Sequence, residues 1–373
     1  MSGLFIGLMS GTSLDGVDGV LLQTSGPNGP LAIQVITHAH APFDDGLRQQ
    51  FLALHTPASD ELHQAQKAGL ALARLYAHVV AQLLLQSGVA PADVKAIGAH
   101  GQTIRHRPRL DGGVGYTLQV NQPALLAEWT GITVVADFRS RDIAAGGQGA
   151  PLVPAFHQAL WAHPGRRVAV LNLGGIANLS LLNPDQPLLG FDCGPGNMLL
   201  DAWHQRHRGG PFDDQGAWAA GGQCHEALLA AMLAEPFFHA PAPKSTGRDL
   251  FHMAWLQQHL NAHPDVSPQN VQATLLELTA QTSLQALRRH MPEPQELLVC
   301  GGGALNTALM RRLALGLAPC PVLSSSDKGL APGQVEAAAF AWLAQRTLAG
   351  LPGNAPSVTG ACGERVLGAI YPA

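Results

Sequence analysis

The feature that most constrains this chain is a glycine- and hydroxyl-rich break inside an apolar run near its start. Residues 5–9 read Phe-Ile-Gly-Leu-Met, residues 10–13 read Ser-Gly-Thr-Ser, and residues 20–22 are apolar again. That pattern predicts a strand, a tight turn and a returning strand. In such a turn Gly11 lets the main chain approach a ligand, and Thr12 and Ser13 add hydroxyl donors. Asp15 can hold a hydrated Mg²⁺ beside an anion drawn to those donors. The residues therefore describe a phosphate cradle without a lysine, and equally an ordinary hairpin turn. Recurrence of the pattern is what favours the cradle.

It recurs at residues 168–182, where an apolar strand meets Gly174-Gly175, flanked by Asn172, Asn178 and Ser180, and an apolar strand follows. The surroundings recur too. After the first hairpin and a third strand near residues 32–36, Leu72, Leu75, Val79 and Leu83 fall at helical spacing within residues 60–86, and Gly88 ends that helix. A strand over residues 94–99 then runs into a polar loop, His100-Gly-Gln-Thr103. In the second half, Ser267 is placed as N-cap and Pro268 in the first turn of a helix with Val271, Leu275 and Leu278 on one face. A strand over residues 297–300 follows and empties into Gly301-Gly302-Gly303. This repetition predicts an α/β fold of two similar lobes facing each other across a cleft. The boundary is expected near Pro164-Gly165, giving lobes 1–165 and 166–373, with the C-terminal helix able to pack back on the first. Glycines between a strand and a helix start suit nucleotide binding; close helix–strand packing is the alternative.

Further candidates sit at strand ends, where open α/β sheets place their ligands. Asp192, between an apolar stretch and a Gly-Pro-Gly turn, has the position of a general base or of a helix cap. Asp201 reads as a structural or cap-type partner. A loop with Asp137, Arg139, Arg141 and Asp142 beside Gly146, Gly147 and Gly149 fits recognition of an anionic group, or a solvated cluster of ion pairs. His100 is placed either against a ligand or in a structural hydrogen bond. Residues 243–251 form a basic, hydroxyl-rich loop, either a closing element or a connector. His204 and His207 have ligand-like spacing but no third ligand, and read as a solvated helix face. Glu336 opens an alanine-rich helix, where the helix dipole favours an acid in any case.

Composition narrows the partners. A net charge of -4 over 373 residues offers no basic field for nucleic acid. Five cysteines without C-x-x-C spacing argue against a disulfide framework or a thiolate zinc site. The start of the chain lacks a basic region ahead of its short apolar run, and no stretch is expected to span a membrane. The chain is expected in the cytoplasm.

Two phosphate hairpins and a glycine-rich nucleoside loop in repeated lobes resemble the sugar kinase, Hsp70 and actin superfamily, with its duplicated ribonuclease H-like fold and central nucleotide cleft. The strings GLMSGTSLDGVD, ADFRSRDIAAGGQGAPLVP, LNLGGIANLS, FDCGPGN, PKSTGRDLF and CGGGALN resemble those of the anhydro-N-acetylmuramic acid kinase family from residue 5 to residue 372. The resemblance implies phosphorylation of 1,6-anhydro-N-acetylmuramate at O6 by ATP, with hydrolytic opening of the anhydro bridge, in recycling of cell-wall sugars. It implies that Gly11, Thr12, Ser13, Leu14, Asp15, Gly16, Val17 and Asp18 bind the ATP phosphates with Mg²⁺. Asn172, Gly174, Gly175, Gly301, Gly302 and Gly303 complete the nucleotide site. Asp192 is implied as catalytic base, and Arg139, Arg141, Asp142 and Glu336 are placed near the sugar. A homodimer is also implied. Two residues depart from the family pattern: Cys193 follows the aspartate where a small hydroxyl residue is usual, and Leu305 replaces a polar or aromatic residue after the glycines.

Overall fold

In the computed structural model, residues 2–11, 13–26, 29–247 and 249–373 are described. The chain forms two compact units, Met1–Leu160 with Gln334–Ala373, and Trp161–Gly333.

The first unit carries strands β1 (Gly3–Met9), β2 (Gly16–Thr24), β3 (Ile33–Pro42), β4 (Val94–Ala99), β5 (Gln102–Leu110), β6 (Gly113–Val120) and β7 (Val134–Ala136). β1, β2 and β3 form an antiparallel meander, while β4 lies parallel to β1 and β7 parallel to β4. The order is β3-β2-β1-β4-β7. Helix Glu61–Ser87 covers one face of this sheet and ends at Gly88 in the left-handed conformation. Its length and mean hydropathy of 1.5 would suffice to cross a membrane, contrary to the expectation that no stretch reaches that measure. Leu72, Tyr76, Val79 and Leu83 instead line one stripe, packed with Ile6, Leu8, Leu21 and Ile97, while His63, Lys67, Arg74 and His78 are exposed. Burial of each large apolar side chain there contributes about 1.5–3 kcal/mol.

Helix Val335–Leu348 packs on the same strands. Gly7 and Gly98 pair across β1 and β4, and a Cβ on either would run into the carbonyl oxygen of Ala337 or Phe340. Only bare backbone allows the helix to come so close. Residues 334–373 therefore belong with the first unit rather than ending the second.

The second unit carries β8 (Val168–Leu173), β9 (Ile176–Leu182), β10 (Leu189–Pro195), β11 (Glu296–Cys300) and β12 (Val322–Ser324). β8, β9 and β10 are an antiparallel meander; β11 is parallel to β8 and β12 parallel to β11. The order β10-β9-β8-β11-β12 repeats that of the first unit strand for strand. This is the duplicated ribonuclease H-like sheet expected from the resemblance. Helix Pro268–His290 is capped by Ser267, which accepts from the Asn270 amide, and buries Val271, Leu275 and Leu278 as their spacing predicts. Strand β13 (Ala369–Tyr371) adds antiparallel to β7 in the first sheet. The paired strands β5 and β6 form a separate two-stranded sheet, so the polar loop expected at 100–103 is only a corner at His100-Gly101.

Candidate active site

In the first unit, the parallel strands β1, β4 and β7 end side by side, which brings Ser10, His100 and the Asp137–Arg139 turn into one polar network. Ser10 Oγ donates to the Gly101 carbonyl (3.0 Å) and shares a hydrogen bond with Tyr76 Oη (3.1 Å). The Gly101 amide donates to Tyr76 Oη (3.0 Å). Gln102, fully buried, donates from Nε2 to the Gly11 carbonyl (3.1 Å). The turn between β1 and β2 is thus held from behind. Sequence reasoning did not single out Gln102 or Tyr76, whose importance lies in contacts across 25 to 91 residues.

Within that turn the residues divide. Gly11 is half-buried, and Ser13 and Asp15 are exposed, with Ser13 Oγ donating to Asp15 Oδ1 (2.8 Å). Leu14 sits at φ 58 with its side chain in the core. A left-handed leucine costs roughly 1 kcal/mol or more, which its buried side chain offsets. Val17 is fully buried, and a Cβ at Gly16 would meet Ala41 and Pro42. Asp18 pairs with His40 Nδ1 (2.9 Å). Leu14, Gly16 and Val17 therefore have structural reasons to be what they are, while Gly11, Ser13 and Asp15 present donors and a carboxylate. Thr12 lies outside the described residues.

Arg139 is held on two sides. Its Nε and Nη2 donate to His100 Nε2 (3.1 and 2.8 Å), and Nη1 donates to the Gly149 carbonyl (2.8 Å). Burial pushes the guanidinium down to about 10, and the charges of Glu336 and Asp142 oppose that shift. Glu336, in the first turn of helix Val335–Leu348, is half-buried near it, and Arg141 is exposed. Asp142, expected near the sugar, is fully buried. Its Oδ1 accepts from Asn354 Nδ2 (2.7 Å) and Thr359 Oγ1 (2.8 Å), and its Oδ2 accepts from the Gly149 amide (2.7 Å). It braces the glycine loop against residues 354–359 and has no oxygen to spare for a ligand.

In the second unit, sheet register aligns the polar residues. Cys300 pairs with Asn172, Asn172 with Asn178, and Asn178 with Asp192. Paired residues share a sheet face, so Asn172, Asn178 and Asp192 form one polar row across β8, β9 and β10. Asp192 lies inside β10, not at a strand end. A bulge at Cys193, between Asp192 and Gly194, bends the strand there. Phe191 and Cys193 are buried in the core while Asp192 faces the other side, half-buried. Cys193 thus fills a core position where a hydroxyl would need a partner.

Lys244 and Thr246, from the basic, hydroxyl-rich loop, clasp Asp192. The Asp192 amide donates to the Lys244 carbonyl (3.0 Å), and the Thr246 amide donates to Asp192 Oδ2 (2.9 Å). Lys244 Nζ anchors the loop by donating to the carbonyls of Phe237 (2.7 Å) and Phe238 (3.1 Å). Burial pushes the Asp192 carboxyl up to about 6, opposed by the Thr246 amide and the Lys244 charge. Among the described residues its Oδ1 has no hydrogen-bond partner. Asp201 is a helix-interior carboxyl pushed up to about 7 by burial and then by the charge of Asp213. His204 hydrogen-bonds the Gly210 carbonyl (3.0 Å) and both histidines pack on tryptophans. No group of three or more metal-ligating side chains occurs among the described residues.

The Gly174-Gly175 turn is fixed through its carbonyls, which accept from the amides of Asn197 (2.8 Å), Gly196 (2.9 Å) and Met198 (3.2 Å). A Cβ at Gly174 or Gly175 would find only ordinary contacts at 3.7 and 3.8 Å, and neither has a positive φ. Gly301 and Gly303 differ: a Cβ there would strike Asn172 and Leu173. Gly301 caps a single 3-10 turn, Gly302–Leu305, and helix Thr307–Leu317 is capped by Asn306. The glycines therefore precede the helix by one turn. Leu305 is 67% exposed. A cavity of about 630 Å³ in this unit is lined by Gln215, Ala217, Cys224, Leu276, Thr307 and Arg311, among others.

The model of the anhydro-N-acetylmuramic acid kinase family matches residues 3–373. The chain belongs to that family. It is 54% identical to the anhydro-N-acetylmuramic acid kinase of Albidiferax ferrireducens over 100% of both chains. It is 58% identical to that of Variovorax paradoxus over 99% of each, and 57% to that of Bordetella petrii over 99% of this chain and 96% of the relative. Family membership makes this chain a kinase. Among solved structures it is similar to the activator of the 2-hydroxyisocaproyl-CoA dehydratase from Clostridium difficile with bound ADPNP (12% identity, 92% and 94% of the two chains, TM-score 0.47). It is also similar to a ROK family glucokinase from Streptomyces griseus in complex with glucose and AMPPNP (14%, 91% and 99%, TM-score 0.40). At that distance neither bears on the ligands of this chain.

Proposed function

We propose that this kinase uses ATP to phosphorylate O6 of 1,6-anhydro-N-acetylmuramic acid while water opens the anhydro bridge, giving N-acetylmuramic acid 6-phosphate and ADP. The observation that carries the reading is Asp192: a carboxyl raised to about 6 and oriented by the Thr246 amide, ionised at neutral pH yet basic enough to take a proton. Asp192 removes a proton from water as the oxygen bonds to C1. The C1–O6 bond breaks, its electron pair stays on O6, and O6 displaces ADP from the γ-phosphorus. The proton on Asp192 passes to solvent. One base suffices because the departing oxygen is itself the phosphoryl acceptor.

Support for the nucleotide site comes from Gly11, Ser13, Gly174, Gly175 and Gly302, which leave backbone or hydroxyl donors accessible without a packing reason for the three glycines at 11, 174 and 175. The cavity lined by Thr307 and Arg311 has the size for a nucleobase. Asp15, exposed with one oxygen on Ser13, suits Mg²⁺, which keeps several waters and binds through one or two carboxylates and phosphates. Mg²⁺ would neutralise phosphate charge. Arg139, Arg141 and Glu336 are assigned to the sugar, the arginines to its lactyl carboxylate. Asn178, across from Asp192, and Asn172, next in the same row, would orient the reacting groups. We place the enzyme in the cytoplasm as a homodimer that recycles cell-wall sugars; its free cysteines suit a reducing compartment.

The test is Asp192→Asn. It should abolish turnover in an ADP-release assay while leaving nucleotide affinity within about twofold of wild type, since a positioned general base contributes about 10²–10⁴ in rate. A nearly wild-type rate would remove the assignment.

A further inference from the structure

His100 is one of the most constrained polar side chains in the first unit. It lies at the C-terminal end of β4, 5% exposed, with its ring 4.6 Å from that of Phe340. Its amide donates to the Leu8 carbonyl (3.1 Å), tying it to β1. Nε2 faces Arg139 Nε and Nη2, and Nδ1 lies 3.3 Å from the Ser10 carbonyl. The protonation pattern follows from the partners. A guanidinium only donates, so Nε2 carries the lone pair. The proton is then on Nδ1, which donates to Ser10. Burial and the Arg139 charge hold the imidazole down to about 3, so this neutral tautomer persists throughout the neutral range.

The two partners belong to different tasks. The Ser10 carbonyl starts the turn assigned to triphosphate, and Arg139 is assigned to the anionic group of the sugar. One rigid ring therefore sets the distance and angle between them. Besides His100, the titratable groups near Arg139 are Asp142 on its own helix and His106 and Glu336 on other elements, and of its side-chain hydrogen bonds among the described residues only that to His100 leads to the phosphate turn.

We propose that His100 is a positioning residue that fixes Arg139 relative to the first phosphate turn, so that sugar and nucleotide binding are coupled through its imidazole. This rests on the assignment of Arg139 to the sugar. It makes His100 a determinant of how the acceptor is aligned with the phosphoryl donor, without touching either.

Two conservative variants separate the two bonds. An asparagine amide reaches only the position of Nδ1, so His100→Asn keeps a donor for Ser10 and loses Arg139. A glutamine amide reaches the position of Nε2, so His100→Gln keeps an acceptor for Arg139 and loses Ser10. Hydrogen bonds to a charged group are the stronger kind, so His100→Asn should raise KM for the anhydro sugar about tenfold with KM for ATP within about twofold. His100→Gln should raise KM for ATP by about threefold to tenfold and leave that for the sugar within about twofold. In calorimetry, the wild-type enzyme should bind ADP more tightly with the sugar present, and both variants should lose that enhancement.

Equal effects of the two variants on both substrates, or none on either, would overturn the proposal. Arg139→Ala separates the two assignments. If it leaves the sugar KM unchanged, the reading of Arg139 fails; if it raises that KM while His100→Asn does not, only the His100 inference fails. Should either variant fail to fold, nitrogen NMR of the wild-type enzyme decides: the His100 ring should remain the Nδ1–H tautomer from pH 5 to 9. A titration in that range, or the Nε2–H form, would contradict it.

Discussion

The two hairpins that open the two sheets share a place in the fold but are built differently. The first has a long turn that carries side-chain chemistry in Ser13 and Asp15, and it is propped by the buried groups of Leu14, Gln102 and Ser10. The second has only Gly174-Gly175, fixed by three amides from residues 196–198. One presents a hydroxyl and a carboxylate, the other bare main chain. The glycines of the second unit divide in the same way, since 174 and 175 have room for a side chain and 301 and 303 have none. A glycine kept where nothing in the fold demands it points to a ligand; one kept where Leu173 would be struck points to packing.

The largest expected effect contrasts the base in the second unit with the arginine in the first. Asp192→Asn should lower kcat by about 10³-fold, within the range for a lost general base, whereas Arg139→Lys should act mainly on KM for the sugar. The same Asp192→Asn variant should be more stable than wild type at pH 7. Its folded carboxyl, raised from 3.8 to about 6, binds a proton more tightly than the unfolded one. Stability therefore falls as pH rises from about 4 to 6, by up to about 3 kcal/mol at about 1.36 kcal/mol per pH unit. Chemical denaturation at pH 5 and pH 8 measures this; a variant less stable at pH 8 would mean that the aspartate is held by more than the Thr246 amide.

Next come the glycines. Gly303→Ala should destabilise by roughly 1–3 kcal/mol through overpacking against Leu173. Gly175→Ala should leave the melting temperature unchanged or raise it, worth about 0.4–1 kcal/mol through the unfolded chain, while weakening ATP binding. Equal melting temperatures for the two variants would erase the distinction. A smaller effect belongs to pH: kcat/KM should fall tenfold per unit below an apparent pKa of about 6 as Asp192 takes up a proton. A flat profile down to pH 5 would assign the base elsewhere. Leu305→Ser should produce the smallest change, a few-fold rise in KM for ATP through lost apolar area.

Much of this architecture is legible from local pattern. The strands at residues 94–99, 168–173 and 176–182 stand out as apolar runs, and the helices beginning at Glu61 and Pro268 as 3.6-residue stripes with a glycine stop and a serine cap. The β5–β6 sheet is not, because its arginines, histidine and Pro108 give no alternation and much of it is exposed. Nor is the place of Asp192, since a one-residue bulge at Cys193 leaves no mark in composition. Asp142 shows the limit most clearly. Its neighbours Arg139 and Arg141 suggest anion recognition, but the residues that claim its oxygens, Asn354 and Thr359, lie more than 200 positions away. Gly7 and Gly98 likewise read as weak points in strands until helix Val335–Leu348 is seen against them.

The most direct measurement is product analysis after incubating the enzyme with ATP and 1,6-anhydro-N-acetylmuramic acid. A single product that is both phosphorylated and reducing, formed in step with ADP and absent with Asp192→Asn, is predicted. A phosphorylated sugar with its anhydro bridge intact would show that Asp192 does not activate water and would contradict the coupled mechanism.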